Sequence, residues 1–264
     1  MNVLADFDPG ARLVIGHRGA AACFPENTFA AFDYAVGLGV DAIEFDIRIT
    51  RDGVVVVIHD PTLDRTTGGS GDVAQQSVRD IAEVDAGARF SPDGGRTFPF
   101  AGKGIGIPTL EGLIERYPST PLLIEIKVAE AAPEALRLFR RYGCEDRVLV
   151  DSMDVGALRP FRGTRVAVGA ARRDAISLTW RSAVGLVPSS LPFSALCIPE
   201  RYVINVPVTR LTRAAASRRV PTHVWTVNDP EDARRLWSNG VIGIISDDPE
   251  TMLVLRKQMA GSAK

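Results

Sequence analysis

An α/β fold, with a parallel sheet covered by helices and the strand count of an eight-stranded barrel, is what this sequence predicts. Short β-rich runs alternate with helix-like segments over most of the chain. The 264 residues match the size at which such barrels form one unit, about 250 residues. Hydrophobic residues at 45% against 24% charged are the balance of a chain with a sizeable core, not of a disordered one.

Taken in order, strands are predicted near residues 13–15, 42–47, 54–58, 122–126, 147–150, 165–168, 195–198, 223–227 and 242–245. That is one more than a barrel of eight requires. The surplus is explained at Thr50-Arg51-Asp52-Gly53, where a DG turn joins two runs across a gap too short for a parallel crossover. Those runs form an antiparallel hairpin, which brings His59 back beside Glu44. Between His59 and Pro108 the alternation stops, and a polar, Gly-rich stretch holds one helix, 77–84, and a loop, 90–106. This is read as an insertion, 60–107, over the barrel mouth. Neither an internal repeat nor a linker divides the chain, so 1–264 is expected to be one barrel domain, frayed over 260–264.

A formal charge of -1 provides no global field to hold a nucleic-acid backbone or an anionic membrane. The pairs Arg172-Arg173 and Arg218-Arg219 read as solvated helix faces. Residues 1–12 carry acidic side chains, Pro9 and Gly10 where a signal peptide needs a basic start and an apolar run. Nor does any stretch approach the roughly 20 apolar residues of a bilayer span. Cys23, Cys144 and Cys197 are odd in number and lack CxxC spacing, which points to reduced thiols in a cytoplasmic protein. The expected partner is therefore a small molecule, with no nucleic acid and no membrane insertion; homo-oligomerisation stays open.

Two of the three histidines directly follow strand-like runs, in Gly16-His17-Arg18-Gly19 and Ile58-His59-Asp60. In α/β barrels the strand ends carry catalytic side chains. One histidine there is more often structural; two at equivalent ends, the first flanked by glycines that allow close backbone approach, favour function. His223, within a strand, reads as a partly buried structural residue. The run from Ile43 to Ile49 alternates strictly, so Glu44, Asp46 and Arg48 share one face. Glu125 and Lys127 repeat the device in Ile124-Glu125-Ile126-Lys127. If both polar faces point into a barrel, three carboxylates converge and demand a counter-ion, since like charges about 4 Å apart repel by several kcal/mol. All-oxygen ligation selects a hard divalent cation, Mg²⁺ or Ca²⁺. Two imidazoles flanking such a cation suit phosphodiester cleavage, one taking a proton from the attacking hydroxyl and the other giving one to the departing alkoxide. Arg18 and Lys127 are placed to hold phosphate oxygens. Asn27 and Thr28 suit a helix cap, while Glu26 and Asn27 are candidates to orient the histidines.

Seven motifs then occur in order: His17-Arg18-Gly19; Pro25-Glu26-Asn27-Thr28; Glu44 with Asp46; Thr50-Arg51-Asp52-Gly53 leading to the run from His59 to Thr67; Pro108 to Glu111; Ile124 to Lys127; and Trp225 to Asn228. In this the chain resembles the glycerophosphodiester phosphodiesterases, of the phospholipase C-like phosphodiesterase superfamily, over nearly its whole length. The resemblance implies a TIM-type (β/α)8 barrel, somewhat irregular. It also implies His17 and His59 as general acid and base, Glu44, Asp46 and Glu125 as ligands of one divalent cation, Arg18 and Lys127 on phosphate, and Trp225 walling the pocket. The implied reaction converts glycerophosphodiesters to an alcohol and sn-glycerol 3-phosphate, and a neighbouring glycerol hydroxyl is available to attack first through a cyclic phosphate. The chain departs from the family at Ile242, where an Asp is usual, and at Asp151-Ser152-Met153, in place of a common Ser-Phe pair; both bear on substrate contacts. Two rival readings remain. One is a lysophospholipase D-like or phosphoinositide-type enzyme, with Phe90, Phe98 and Phe100 as an apolar approach; the other is a noncatalytic binder of a phosphorylated ligand.

Overall fold

The computed structural model describes residues 2–201 and 206–261. Among them eight strands run parallel in a ring: β1 (Leu13–Gly16), β2 (Ala42–Ile49), β4 (Leu122–Ile126), β5 (Val148–Asp151), β6 (Ala167–Val168), β7 (Leu196–Pro199), β8 (Thr222–Trp225) and β9 (Gly243–Ser246). The ring closes between β9 and β1 in register Ile15↔Ile245. It closes between β6 and β7 through a single parallel bridge, Gly169↔Ala195, with Ser194 N–H on Val168 O at 2.7 Å and Ala170 N–H on Ala195 O at 3.0 Å. The predicted barrel is thus present.

The surplus strand is β3 (Val55–Val57), outside the ring and antiparallel to the end of β2 in register Ile47↔Val57. Gly53 at φ +82° turns the hairpin, a left-handed conformation that glycine adopts without a Cβ clash. Ile58 N–H then donates to Asp46 O at 3.0 Å, which sets His59 against the carboxyl end of β2.

The helices α1 (Phe29–Leu38), α3 (Leu110–Arg116), α4 (Ala132–Arg141), α5 (Val155–Leu158), α6 (Arg172–Ala183), α7 (Val208–Ala216), α8 (Pro230–Ser238) and α9 (Pro249–Gly261) follow the strands. The short α2 (Val78–Ala82) lies in the 60–107 stretch, capped by Ser77 and Asp80; the 90–106 loop has no helix or strand. Ala260 and Gly261 end α9, while the remainder of the segment expected to fray, 262–264, lies outside the described residues.

Strand alternation divides the core in two. Ile43, Phe45 and Ile47 of β2 and Leu122, Ile124 and Ile126 of β4 pack outward with Phe32, Leu113 and Phe139 of the helices. Ile15, Ala42, Leu123, Leu149, Cys197 and Ile245 fill the barrel interior, joined by Leu4. Glu44, Asp46 and Glu125 occupy the inward positions towards the carboxyl ends of β2 and β4, as the alternation predicts. His223 is wholly buried, not partly, with Nε2 2.7 Å from Leu4 O.

Candidate active site at the barrel mouth

The loop from β1 to α1 is held by close backbone contact. A Cβ on Gly16 would stand 2.2 Å from Gly19 O, and one on Gly19, at φ +91°, 2.6 Å from the Ala31 carbonyl carbon. Only glycine permits this approach, and it delivers His17 and Arg18 directly over the strand ends. Arg18, at φ +49°, donates its N–H to Glu44 Oε2 at 2.9 Å. Asn27, at φ +59° and 3% exposed, donates Nδ2–H to Asp46 Oδ2 at 2.9 Å. Thr28 caps α1, accepting from Ala31 N–H at 3.4 Å.

Each candidate histidine is anchored through Nδ1: His17 lies 2.6 Å from Asp247 Oδ1, and His59 2.6 Å from Asp60 Oδ1. A carboxylate on Nδ1 fixes that nitrogen as the protonated one and leaves Nε2 for chemistry. His17 Nε2 is 3.9 Å from Glu44 Oε2. Burial opposes charge on His17, but Glu44 and Asp247 outweigh it and raise its pKa. Burial likewise opposes the Asp247 carboxylate, which His17 and the Asn228 amide, 2.8 Å away, nonetheless hold ionised. Asp60 is kept well below the usual carboxylate range by Arg65 above all, against burial, and then by His59.

Arg65 extends the anchor. Its guanidinium donates to Asp60 Oδ2 at 2.6 Å and to both oxygens of Glu26 at 2.8 Å, while Arg18 reaches Glu26 Oε1 at 2.7 Å. Glu26 therefore reaches His59 through Arg65 and Asp60, whereas Asn27 orients Asp46 and touches neither histidine.

Glu44, 6% exposed, and Asp46, 1% exposed, are buried, and each of Glu44, Asp46 and Glu125 offers an oxygen within 4.8 Å of the others. Lys127 Nζ sits 2.8 Å from Glu125 Oε2 and 3.0 Å from Asp46 Oδ1. Burial disfavours the Asp46 charge, but Lys127 and then Arg18, whose Nε is 3.2 Å away, keep it ionised. Glu44 is less well compensated: burial first, then Asp46, push it up to about 7 against the opposing pull of His17 and Arg18. A crowded, undercompensated set of hard oxygen donors suits a metal ion, and the residues present can hold one.

His17, Arg18, Glu44, His59, Glu125 and Lys127 line a cavity of about 280 Å³ that also takes in Asp151, Cys197 and Trp225. Asp151 stands beside Glu125 in the sheet register; its Oδ1 is buried without a hydrogen-bond partner, and burial, then Glu125, raise its pKa. All candidate residues except Glu26 and Asn27, which stand behind them, and Asp46, buried beneath Lys127, line this cavity. Sequence reasoning missed Asp247 and Arg65 as anchors, and Asp151 in the cavity wall. Ile242 is buried at the amino end of β9, hydrogen-bonding Leu13 N–H and Thr222 O, so its departure from the family does not touch the mouth. Phe90 and Phe100 pack together and Phe100 on Phe24, with ring centroids 5.4 Å apart in both pairs, and neither lines the cavity.

A profile of the Glycerophosphoryl diester phosphodiesterase family matches residues 17–159 and 166–251. A glycerophosphodiester phosphodiesterase of Caldanaerobacter subterraneus subsp. tengcongensis is 34% identical over 253 residues, 92% of this chain and 97% of that protein. Among solved structures, a glycerophosphodiester phosphodiesterase from Agrobacterium tumefaciens has a TM-score of 0.74 at 27% identity, covering 91% of this chain and 98% of that one. An Oleispira antarctica phosphodiesterase, in complex with the product sn-glycerol-3-phosphate, shares the fold with a TM-score of 0.77 at 24% identity, covering 93% and 96%. Fold and site together define the class, a TIM-barrel phosphoric diester hydrolase. The chain belongs to the glycerophosphoryl diester phosphodiesterase family.

Proposed function

We propose that the protein hydrolyses glycerophosphodiesters to an alcohol and sn-glycerol 3-phosphate, with His17 and His59 as acid and base. The observation that carries this reading is the pair of imidazoles with Nδ1 tied to carboxylates at 2.6 Å, both lining a cavity that also holds Glu44, Glu125 and Lys127. His59 takes the proton of the attacking hydroxyl on Nε2, and His17, whose charged form Glu44 and Asp247 favour, gives one to the departing alkoxide. Arg18 and Lys127 bind the phosphate oxygens, Trp225 walls the alcohol side, Glu26 supports the His59 anchor, and Asn27 holds Asp46 in place.

Glu44, Asp46 and Glu125 hold one divalent cation, Mg²⁺ or Ca²⁺, which when bound supplies charge stabilisation to the non-bridging oxygens. The 60–107 insertion acts at the mouth through Arg65. Three unpaired cysteines support a cytoplasmic setting, and among the described residues no helix is long and apolar enough to cross a membrane.

The test is a panel of glycerophosphodiesters assayed for released sn-glycerol 3-phosphate with Mg²⁺ and Ca²⁺ in turn. His17→Ala and His59→Ala are each expected to lower turnover at least about 100-fold with circular dichroism unchanged. A chelator should abolish activity and added cation restore it. Wild-type rates in either mutant remove that histidine from the mechanism, and full activity in excess chelator removes the cation.

A further inference from the structure

With the histidines, the carboxylates of the cation site and the phosphate-binding Arg18 and Lys127 assigned, the polar side chains left lining the catalytic cavity, among the described residues, are Asp151, Cys197, Trp225 and Thr226. Cys197 offers a weak thiol and Trp225 a donor alone, whereas Asp151 brings a carboxyl. That carboxyl is held where it is costly. The Ser152 backbone N–H is the hydrogen bond it receives, while Oδ1 is buried with no partner and Glu125 stands beside it. A buried acceptor left unpaired costs stability, and a like charge nearby adds to the cost. The next strand makes room for it: a Cβ on Gly169, just past β6, would stand 2.4 Å from Asp151 Oδ1. Ser152 is buried with its hydroxyl on Ile126 O at 2.7 Å, so it is Asp151, partly exposed, that faces the cavity. A group that costs stability and lines an active site is accounted for by a partner in the ligand.

Asp151 pairs with Glu125 in the register of β4 and β5, one strand spacing, about 4.8 Å, around the ring from the cation site. Trp225 ends β8, which lies opposite β4 in the closed strand order. The two ester arms of a phosphodiester leave phosphorus in different directions, so with the alcohol on the Trp225 side the glycerol turns towards β5. Its 2-hydroxyl adjoins the phosphate, where the histidines act; its terminal hydroxyl is the group left to reach the wall. A hydroxyl both donates and accepts, so it pairs with the carboxyl whether or not the carboxyl carries a proton. We propose that Asp151 is a specificity-determining residue that hydrogen-bonds the terminal hydroxyl of the substrate's glycerol moiety. The inference rests on the phosphodiesterase reading above and names the residue that recognises glycerol within it. A ligand lacking that hydroxyl leaves the carboxyl unpaired, and a site built to bond a hydroxyl rejects such an analogue.

Deleting the hydroxyl and the carboxyl in turn tests the pairing. In calorimetric titrations with Mg²⁺ present, the wild type is expected to bind sn-glycerol 3-phosphate at least about tenfold tighter than propane-1,2-diol 1-phosphate of matching configuration, which lacks only the terminal hydroxyl. Asp151→Ala and Asp151→Val, two variants without a polar atom there, should each lose most of that preference, and Asp151→Asn, which still donates and accepts, should keep much of it. In turnover, removing the same hydroxyl from glycerophosphocholine should raise KM in the wild type and leave it unchanged in Asp151→Ala. Relief of the unpaired Oδ1 predicts a urea midpoint for Asp151→Ala no lower than that of the wild type. Equal binding of the two phosphates by the wild type, or a preference that survives both apolar variants, overturns the proposal even if glycerophosphocholine is cleaved. An unchanged preference together with weaker Mg²⁺ binding in Asp151→Ala would assign the carboxyl to the cation and overturn it as well. A preference that Asp151→Ala abolishes, in a protein that cleaves no glycerophosphodiester, leaves the hydroxyl contact standing and removes the phosphodiesterase reading instead.

Discussion

His17 depends on a partner 230 residues away in the chain: Asp247 holds Nδ1 at 2.6 Å and is itself held by Asn228. Because that bond favours the imidazolium, losing its charge lowers the His17 pKa. If His17 acts as the acid, activity falls as pH rises through its pKa, so Asp247→Asn should move that limb of the kcat profile to lower pH. It should also cut kcat by roughly 10²-fold or more at neutral pH, with KM little changed. A drop in kcat with the limb unmoved would reduce Asp247 to a structural residue. The side chains that could be named from sequence were those with a local signal: alternation on β2 and β4 exposed Glu44, Asp46, Glu125 and Lys127, and strand-end position exposed both histidines. Asp247 and Arg65 had no such signal, since what they do is set by pairings across the barrel, His17 with Asp247 and Arg65 with Glu26.

Among the elements, the β1 to α1 loop is the one whose backbone most directly sets the site. Gly19 combines φ +91° with a neighbour at 2.6 Å, so Gly19→Ala faces both a disfavoured backbone conformation and a clash with Ala31 that no side-chain rotation relieves. The expected cost is roughly 1–3 kcal/mol, read as a lower urea midpoint at unchanged m. Turnover should fall together with stability, since the same shift moves His17 and the Arg18 N–H that holds Glu44; a variant of wild-type stability and rate would show that the loop tolerates a Cβ. The hairpin of β2 and β3 was legible because a DG turn permits only one kind of connection. The closure at β6 was not: a strand of two residues joined to β7 through one bridge has too little alternation to reveal which face is inward.

At the scale of the whole molecule, the barrel is plugged at its amino end by an arrangement that makes stability depend on pH. His223, fully buried, gives its Nε2–H to Leu4 O, while Nδ1 has no partner and lies so close to Gly243 that a Cβ there would come within 2.2 Å. A second proton would have nothing to bond, and burial depresses the pKa from 6.5 to about 4 despite the Leu4 carbonyl. For a histidine depressed on folding, the stabilising effect is complete above 6.5 and is lost as pH falls towards 4, because the unfolded chain takes up the proton first. By pH 5 the loss should reach about 2 kcal/mol. Glu44, raised to about 7 without a cation, acts in the opposite sense over an overlapping window: its burial cost shrinks as pH falls and it takes up a proton. The two are separated by comparing urea unfolding at pH 7 and pH 5 for the wild type and for His223→Gln, which keeps a donor for Leu4 O and leaves Glu44 in place. The variant should lose about 2 kcal/mol less than the wild type between those values. Equal losses would mean that the histidine at the barrel floor takes no part in the acid response.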